Sequence, residues 1–258
     1  MKLLLTNDDG INAGGLRAVI KTLAGEHELY VAAPDRERSG TGHSITVFEP
    51  IKVVEAGWPE VNGAWTMSGT PVDCVKLALS QLVDAKIDLV ISGINHGPNL
   101  GTDVLYSGTV SAAAEGIIMG FPALAVSLNA YQPYGEDFSY SARFVYQMVK
   151  IIEQNGIEPQ TLLNINIPFD KNRRCAGIKI TKLGIRNYTN VFEARKDPRG
   201  NIYYWLGGAL QEDRQETDSD VTAVQNNYIS VTPIKLDLTD YKLAEKYRKL
   251  FKERDWGF

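Results

Sequence analysis

The chain has 258 residues, of which 44% are hydrophobic and 22% are charged, a composition typical of a globular protein with one large α/β domain or one domain and an extension. Its net charge of −4 excludes a general basic surface for nucleic acid polymers. No segment reaches the roughly 18 consecutive apolar residues of a membrane span, and charge interrupts the N-terminal apolar run at once, unlike a signal peptide. The two cysteines match no zinc pattern, so we expect free thiols and a cytoplasmic protein without membrane contact.

The first two-thirds of the chain alternates apolar runs with stretches of helical periodicity. Strands are predicted at residues 2–7, 28–35, 87–93, 121–128 and 162–168, and helices at 14–26, 70–83, 107–120 and 138–153. Thr70 precedes Pro71 as the N-cap of the second helix, and residues 45–67 are predicted to be extended. Since continuously apolar strands that alternate with helices form parallel sheets covered on both faces, we predict a three-layer, Rossmann-like, doubly wound α/β fold.

The character of the sequence changes after Pro168. Residues 175–235 are rich in Tyr, Thr, Val and Gly, with polar turns and no clear helix, a pattern that predicts β-hairpins. An amphipathic helix is predicted at residues 239–253. We therefore divide the chain into a Rossmann-like catalytic core, residues 1–170, and a β-hairpin arm with a terminal helix, residues 171–258, which we expect to reach a partner subunit.

Polar side chains collect at the ends of three predicted strands. Residues 7–10 follow the first strand, residues 35–40 follow the second, and residues 93–99 follow the apolar strand that begins at Ile87. In a parallel α/β sheet, ligands bind outside the carboxyl ends of the strands. We therefore expect these three loops to open on the same side of the sheet.

Asp8 and Asp9 are adjacent carboxylates at the end of the first strand. They can converge only if the backbone turns, which Gly10 permits, and close carboxylates repel unless a proton or a cation intervenes. Mg²⁺ and Mn²⁺ prefer oxygen ligands, and Ser39 and Asn95 can add a hydroxyl and a neutral carbonyl oxygen. Each of these groups is also explained by ordinary turn chemistry, since Asp-Asp-Gly forms solvated turns and Ser and Asn favour turns.

Ser107, Gly108 and Thr109 lie at the start of a predicted helix. The free N–H groups and partial positive charge of a helix N-terminus favour an anion, and the two hydroxyls could contact the same phosphate. Simple N-capping explains the same residues. His43 and His96 lie in the suspected site loops, where a role in proton transfer and a surface role both stay open.

Motifs of several other enzyme classes are missing from the sequence, which contains neither G-x-x-x-x-G-K-[ST] nor G-x-S-x-G. The glycines from Gly10 to Gly15 lack the G-x-G-x-x-G spacing, but Asp35 stands where a dinucleotide fold often places an acidic residue. A dinucleotide-dependent oxidoreductase therefore remains an alternative. A non-catalytic metal- or nucleotide-binding module that works through its hairpin arm is a second alternative.

Four long motifs in order, covering residues 1 to about 130, resemble the SurE family of survival-protein nucleotidases, also called acid phosphatase SurE or 5′/3′-nucleotidase. The motifs are LLTNDDG, APDRERSG, SGTPVDCV and ISGINHGPNLGTDVLYSGTVSAAAEG, with a weaker match in TDSDVTAVQNNYISVTPI at residues 217–234. The resemblance implies a divalent-metal phosphomonoesterase with a Rossmann-like core. The expected substrates are nucleoside 5′- and 3′-monophosphates, with short polyphosphate as a further candidate.

The resemblance also implies particular site residues and an assembly. One Mg²⁺ or Mn²⁺ per subunit is expected, bound by the oxygen ligands Asp8, Asp9, Ser39 and Asn95. The two carboxylates, Asp8 and Asp9, are also the expected catalytic residues. The residues expected to contact the substrate are Gly40, Thr41, Asn99, Ser107, Gly108 and Thr109. The family resemblance further implies a homodimer or homotetramer whose C-terminal segments exchange between subunits.

Overall fold

A computed structural model describes residues 1–130, 137–169, 175–189, 191–211, 216–252, 254 and 256. Its central element is a nine-stranded sheet with the strand order β3-β4-β2-β1-β5-β6-β7-β13-β8. These strands are β1 (Lys2–Thr6), β2 (Glu28–Pro34), β3 (Val53–Glu55), β4 (Gly63–Met67), β5 (Leu89–His96), β6 (Ala123–Asn129), β7 (Leu162–Pro168), β8 (Gly177–Ile180) and β13 (Tyr228–Ile234). Within this sheet β3 runs antiparallel to β4 and β13 runs antiparallel to β7, while the other neighbours are parallel.

The described residues also form six α-helices and two short helical turns of other types. They are α1 (Gly14–Leu23), α2 (Pro71–Leu77), α3 (Gly108–Ile118), α4 (Ser139–Asn155), α5 (Asp220–Gln225) and α6 (Tyr241–Lys252), with a π-helical turn at Ala78–Leu82 and a 3₁₀ helix at Gly101–Leu105. None of the helices in these ranges is long and apolar enough to cross a membrane.

The apolar core lies on both faces of the sheet, as alternation along β1 shows. Leu3 and Leu5 pack in the cluster that contains the buried residues of α1 and α4, whereas Leu4 packs in the opposite cluster with α2 and α3. All three leucines are fully buried, and each contributes about 1.5–3 kcal/mol of hydrophobic stabilisation. The predicted three-layer, mostly parallel α/β fold is therefore confirmed.

Helix α1 approaches β5 so closely at Gly15 that a side chain has no room. A Cβ atom at Gly15 would lie 1.9 Å from the carbonyl oxygen of Ile94, whereas one at Gly14 would make only ordinary contact with Phe138. We expect Gly15→Ala to lower the free energy of unfolding by about 1–3 kcal/mol, because the backbone must shift to admit the methyl group. Thermal denaturation measures this loss. Gly14→Ala is the matched control, and equal stability of the two variants would contradict the prediction.

Several elements differ from their predictions in extent. Strand β2 ends at Pro34, one residue earlier than predicted, and β5 continues beyond Gly93 to His96. Helix α2 follows the predicted capping: the Thr70 hydroxyl accepts a hydrogen bond from the Asp73 N–H at 3.1 Å, and the Asp73 carboxylate accepts one from the Thr70 N–H. Its α-helical part ends at Leu77 and gives way to the π-helical turn.

The C-terminal third contains the predicted hairpins and also parts of the central sheet. Small antiparallel pairs join β10 (Phe192–Lys196) to β11 (Ile202–Leu206) and β9 (Tyr188–Thr189) to β12 (Ala209–Leu210), while residues 190 and 212–215 of the predicted hairpin region lie outside the described residues. The prediction of no helix at residues 175–235 was wrong, because α5 forms there. With only six residues, α5 is too short to show a helical period.

Strands β8 and β13 lie beyond residue 170 and yet pair in the central sheet. The proposed boundary between core and arm, at residues 170 and 171, falls outside the described residues and stays a prediction. The terminal helix is present as α6, and residue 253, where it was predicted to end, also lies outside the described residues.

Candidate metal and phosphate site

The chain turns sharply after β1, as the sequence predicted at Gly10. Gly10 has φ +99°, and a Cβ atom there would lie 3.2 Å from the backbone of Arg36. The Asn7 side chain closes the turn by donating a hydrogen bond from Nδ2 to the Gly10 carbonyl at 2.9 Å. From this turn, Asp8 contacts the start of α3 and Asp9 contacts the end of β5.

Asp8 contacts the N-terminus of α3. Its Oδ1 accepts a 2.5 Å hydrogen bond from the Thr109 hydroxyl, and a Cβ atom at Gly108 would lie 2.8 Å from Oδ2. Asp8 is 4% exposed, and this burial raises the pKa of its carboxyl group, while the bond from Thr109 acts in the opposite direction. The glycine at position 108 therefore leaves the space that the carboxylate occupies.

Asp9 contacts the end of β5. Its Oδ2 accepts a 3.1 Å hydrogen bond from the backbone N–H of His96. Burial, followed by the charge of neighbouring Asp8, raises the pKa of the Asp9 carboxyl group to about 7. Neither carboxylate forms an ion pair with a basic side chain among the described residues. Two neighbouring carboxylates, one buried and one half-buried, without a cationic partner among the described residues fit a hard divalent cation.

The loop after β2 lies against the backbone of Asp8. The N–H of Arg38 donates to the Asp8 carbonyl at 2.8 Å, which places Ser39 one residue from this contact. Ser39 is exposed, and its hydroxyl donates to Glu37 Oε1 at 2.8 Å, so its oxygen lone pairs remain available to a cation. The loop continues through Gly40, with φ +72°, to Thr41, whose hydroxyl donates to the Arg38 carbonyl at 2.9 Å.

Asn95 lies within β5, although the sequence predicted that it would directly follow the strand. The register with β6 shifts between Ser92 and Asn95. Gly93 has φ +131°, and a Cβ atom there would lie 2.2 Å from the Val126 carbonyl oxygen, so this irregularity requires glycine. The Asn95 Nδ2 donates to the Gly97 carbonyl at 2.8 Å, which leaves Oδ1 as the end of the amide suited to a cation.

Helix α3 begins with the capping that the sequence offered as an alternative to anion binding. Ser107 is the N-cap, and its Oγ accepts a hydrogen bond from the Val110 N–H at 3.0 Å. The hydroxyl of Thr109 is committed to Asp8, so the hydroxyl that remains to donate to an anion is that of Ser107. The first N–H groups of a helix have no intrahelical acceptor, and capping therefore leaves the start of α3 able to bind a phosphate.

Asn99 is held by a buried group of polar side chains that sequence reasoning missed. Its Nδ2 donates to Ser127 Oγ, its backbone N–H donates to Asn166 Oδ1, and its carbonyl accepts from the side-chain amides of Asn164 and Asn166, all at 2.8–2.9 Å. The signal available in the sequence was the i, i+2 spacing of Asn164 and Asn166 within an apolar strand, which puts both on one face. These hydrogen bonds hold Asn99 in place within the loop after β5.

The loop that carries Ser39 is also attached to α3, through a buried carboxylate. Glu115 is 2% exposed, and it accepts from Lys76 Nζ at 2.8 Å and lies 3.0 Å from His43 Nε2. The N–H of Gly42 adds a bond to the Tyr106 carbonyl at 3.0 Å. His43 therefore contacts a structural carboxylate, and its role in proton transfer stays open.

In the part of the chain that the structure describes, no group of three or more His, Cys, Asp or Glu side chains could hold a metal ion. A cation at the end of β1 would therefore combine two carboxylates with neutral oxygens. A parallel sheet with such a carboxylate pair beside a helix N-terminus defines the class: an α/β protein whose candidate site lies at the carboxyl edge of its sheet.

Comparison with known proteins identifies the family. The model of the family described as "Survival protein SurE" matches residues 3–190, so the chain belongs to the SurE family. A "5′-nucleotidase SurE" of Syntrophomonas wolfei is 62% identical over 98% of this chain and 96% of the relative, and one of Pelotomaculum thermopropionicum is 52% identical over the same shares. The crystal structure of the SurE protein from Aquifex aeolicus has a TM-score of 0.83 at 40% identity, over 97% of this chain and 100% of that one.

Proposed function

We propose that the protein is a divalent-metal-dependent phosphomonoesterase that hydrolyses nucleoside 5′- and 3′-monophosphates to nucleoside and inorganic phosphate, with short polyphosphate as a further substrate. The observation that carries the proposal is the pair of neighbouring carboxylates: Asp8, buried against the N-terminus of α3, and Asp9, half-buried against the end of β5. The name "5′-nucleotidase SurE" of the two relatives supports the choice of nucleotide substrates.

The proposed metal ligands are Asp8, Asp9, Ser39 and Asn95, and their oxygen chemistry suits Mg²⁺ or Mn²⁺, one ion per subunit. When bound, a divalent cation supplies positive charge that polarises the phosphate and makes water more acidic. Asp8 and Asp9 are the proposed catalytic residues, because a carboxylate next to the phosphate can orient the attacking water.

The substrate phosphate would bind at the start of α3. The N–H groups of Gly108 and Thr109 and the hydroxyl of Ser107 lie at a helix N-terminus, where they would neutralise the equatorial oxygens. The remaining proposed contacts come from the two neighbouring loops and are Gly40, Thr41 and Asn99. Thr109 also holds Asp8, through its hydroxyl and its backbone N–H.

We also propose a homodimer or homotetramer with exchanged C-terminal segments. Apolar side chains of the β10–β11 hairpin are exposed, with Trp205 at 59% and Leu206 at 72%, and α6 has no buried residue although its sequence is amphipathic. Such surfaces favour burial against a second subunit. Neither Cys74 nor Cys175 forms a disulfide bond with another described residue, which supports the proposed cytoplasmic location.

A phosphate-release screen tests the proposed activity. The purified protein is incubated with nucleoside 5′- and 3′-monophosphates, sugar phosphates and short polyphosphate, each with Mg²⁺ or Mn²⁺. We expect inorganic phosphate from the nucleoside monophosphates. Tight NAD(P)H binding without phosphate release would instead support the oxidoreductase, and nucleotide binding without turnover would support a non-catalytic module.

Removal of the Thr109 hydroxyl tests how Asp8 is held. Thr109→Val keeps the side-chain volume but deprives a buried carboxylate of its donor, whereas Thr109→Ser keeps the donor and is the matched control. A hydrogen bond to a charged group contributes about 1.5–3 kcal/mol, so we expect kcat/KM for phosphate release to fall about tenfold to hundredfold in Thr109→Val. We also expect weaker Mn²⁺ binding by calorimetry. Equal kinetics in the two variants would contradict this role.

A further inference from the structure

Asp220 is a buried carboxylate outside the candidate site. It is the first residue of α5 and is 0% exposed. Its Oδ2 accepts from the backbone N–H of Gly101, and its Oδ1 accepts from the backbone N–H groups of Gly184 and Val221, each at 2.8 Å. Because no described basic side chain is paired with it, these three N–H groups are the donors that offset the desolvation of its charge.

The carboxylate joins two segments that are distant in the sequence. Gly101 begins the 3₁₀ helix that follows Asn99, and Gly184 lies after β8, in a segment of residues 184–188 that we call the strap. Gly101 has φ +53°, and a Cβ atom there would lie 2.7 Å from the Gly184 carbonyl oxygen. The two backbones are therefore in direct contact at the point where Asp220 binds both.

Side chains extend this contact along the strap. The Thr102 hydroxyl donates to the Arg186 carbonyl at 2.8 Å and accepts from the Arg186 N–H at 3.1 Å. Asp103 pairs with the Arg186 guanidinium at 2.8 Å and accepts from the Tyr188 hydroxyl at 2.7 Å. The Arg186 side chain is only 8% exposed, so loss of its Asp103 partner would leave a buried charge uncompensated.

The segment held by Asp220 leads directly to the phosphate site. Hydrogen bonds from Asp103 N–H to the Leu100 carbonyl and from Tyr106 N–H to the Asp103 carbonyl make residues 100–106 one short rigid unit. The next residue is Ser107, the N-cap of α3. A displacement of Gly101 would therefore move Ser107 first, whereas Asp8 stays bonded to Thr109 within α3 and Asp9 to the His96 N–H at the end of β5.

We infer that Asp220 is a positioning residue for the phosphate site: it fixes residues 99–107 against the strap and thereby sets where Ser107 and Gly108 meet the phosphate. This inference rests on the proposed function, because it concerns the phosphate-binding half of that site. Through the strap, which continues into β9 and the hairpins, the C-terminal part of the chain becomes part of the substrate-binding architecture.

The test separates phosphate binding from metal binding in Asp220→Asn. The amide keeps one acceptor oxygen but turns an NH₂ group toward a backbone donor, so one of the two segments is released. With inorganic phosphate as the probe, we expect at least about a tenfold weaker competitive inhibition and a similar rise in KM for nucleoside 5′-monophosphates. Hydrogen exchange should accelerate at residues 101–106. Mn²⁺ affinity, measured by calorimetry, should stay within about twofold of wild type.

The matched control is Asp218→Asn, which removes an exposed carboxylate of the same segment that pairs with Lys182 at 3.1 Å. The inference would be overturned if phosphate inhibited Asp220→Asn as strongly as it inhibits Asp218→Asn. A parallel loss of phosphate and Mn²⁺ affinity would also overturn it, because that result indicates general disruption.

If Asp220→Asn does not fold, phosphate binding by Thr102→Val is the test, because this variant removes the strap contact without burying a charge. Unchanged phosphate binding there would overturn the inference. Calorimetry with inorganic phosphate reports binding even if wild type hydrolyses no ester, a result that would overturn the proposed function alone.

Discussion

Replacing Asp8 by Asn is expected to reduce phosphate release by about two to three orders of magnitude while the protein stays folded. Asparagine has nearly the same volume and can still accept the hydrogen bond from Thr109, so the contact with α3 is kept. What is lost is the negative charge, and with it most of the attraction for a divalent cation. Initial rates with a nucleoside 5′-monophosphate and Mn²⁺ measure the effect, and circular dichroism checks the fold.

The control for this variant is Asp35→Asn, which removes an exposed carboxylate at the end of the neighbouring strand β2, where it pairs with Arg38 at 3.5 Å. We expect this variant to keep at least about half of the wild-type rate, because surface ion pairs contribute little. Turnover close to wild type in Asp8→Asn, with its metal content verified, would refute the assignment of Asp8.

Removal of divalent cations is the second large effect that we expect. Chelation should reduce phosphate release to background, and added Mg²⁺ or Mn²⁺ should restore it. The same cation should stabilise the fold, since a ligand at about 100 times its Kd adds about 2.7 kcal/mol to the free energy of unfolding. The melting temperature measured with and without Mn²⁺ reports this stabilisation. Full activity after exhaustive dialysis against chelator would contradict the metal dependence.

The stabilisation by Mn²⁺ should depend on pH in a definite direction. Without a cation, the pKa of Asp9 in the folded state is raised from 3.8 to about 7, so the folded state holds this proton more tightly than the unfolded chain. The contribution of Asp9 to stability is then fully present below the unfolded pKa of 3.8 and is lost as the pH rises toward 7. A cation competes with that proton. The rise in melting temperature should therefore be larger above pH 7 than near pH 5, and it should shrink in Asp8→Asn.

The sequence was most informative where local patterns determine structure. Apolar runs and helical periods predicted the strands and helices of the first two-thirds, and the rule for parallel sheets directed attention to the ends of β1, β2 and β5. Capping chemistry alone predicted Thr70 as the N-cap of α2, and the structure adds its partner Asp73. The carboxylate pair at Asp8 and Asp9 was visible in the sequence because adjacency and a following glycine are local features.

Contacts between distant segments could not be predicted in this way. The hydrogen bond between Gly101 and Asp220 joins residues 119 positions apart, and no local sequence pattern predicts it. The irregularity in β5, which places Asn95 within the strand, depends on Gly93 meeting the backbone of β6. The commitment of the Thr109 hydroxyl to Asp8 likewise arises from the packing of α3 against β1, where a helix start would otherwise suggest only an anion contact.

The position of β13 between β7 and β8 has a consequence for biosynthesis. Strand β7 is complete at Pro168, but its outer neighbour is formed by Tyr228–Ile234, so a growing chain carries β7 as an open sheet edge through a long stretch of translation. An unpaired edge of this kind is prone to join the wrong partner. Nascent chains paused before Ile234 should therefore be the species most in need of chaperones, because the edge of β7 stays unpaired until β13 is made.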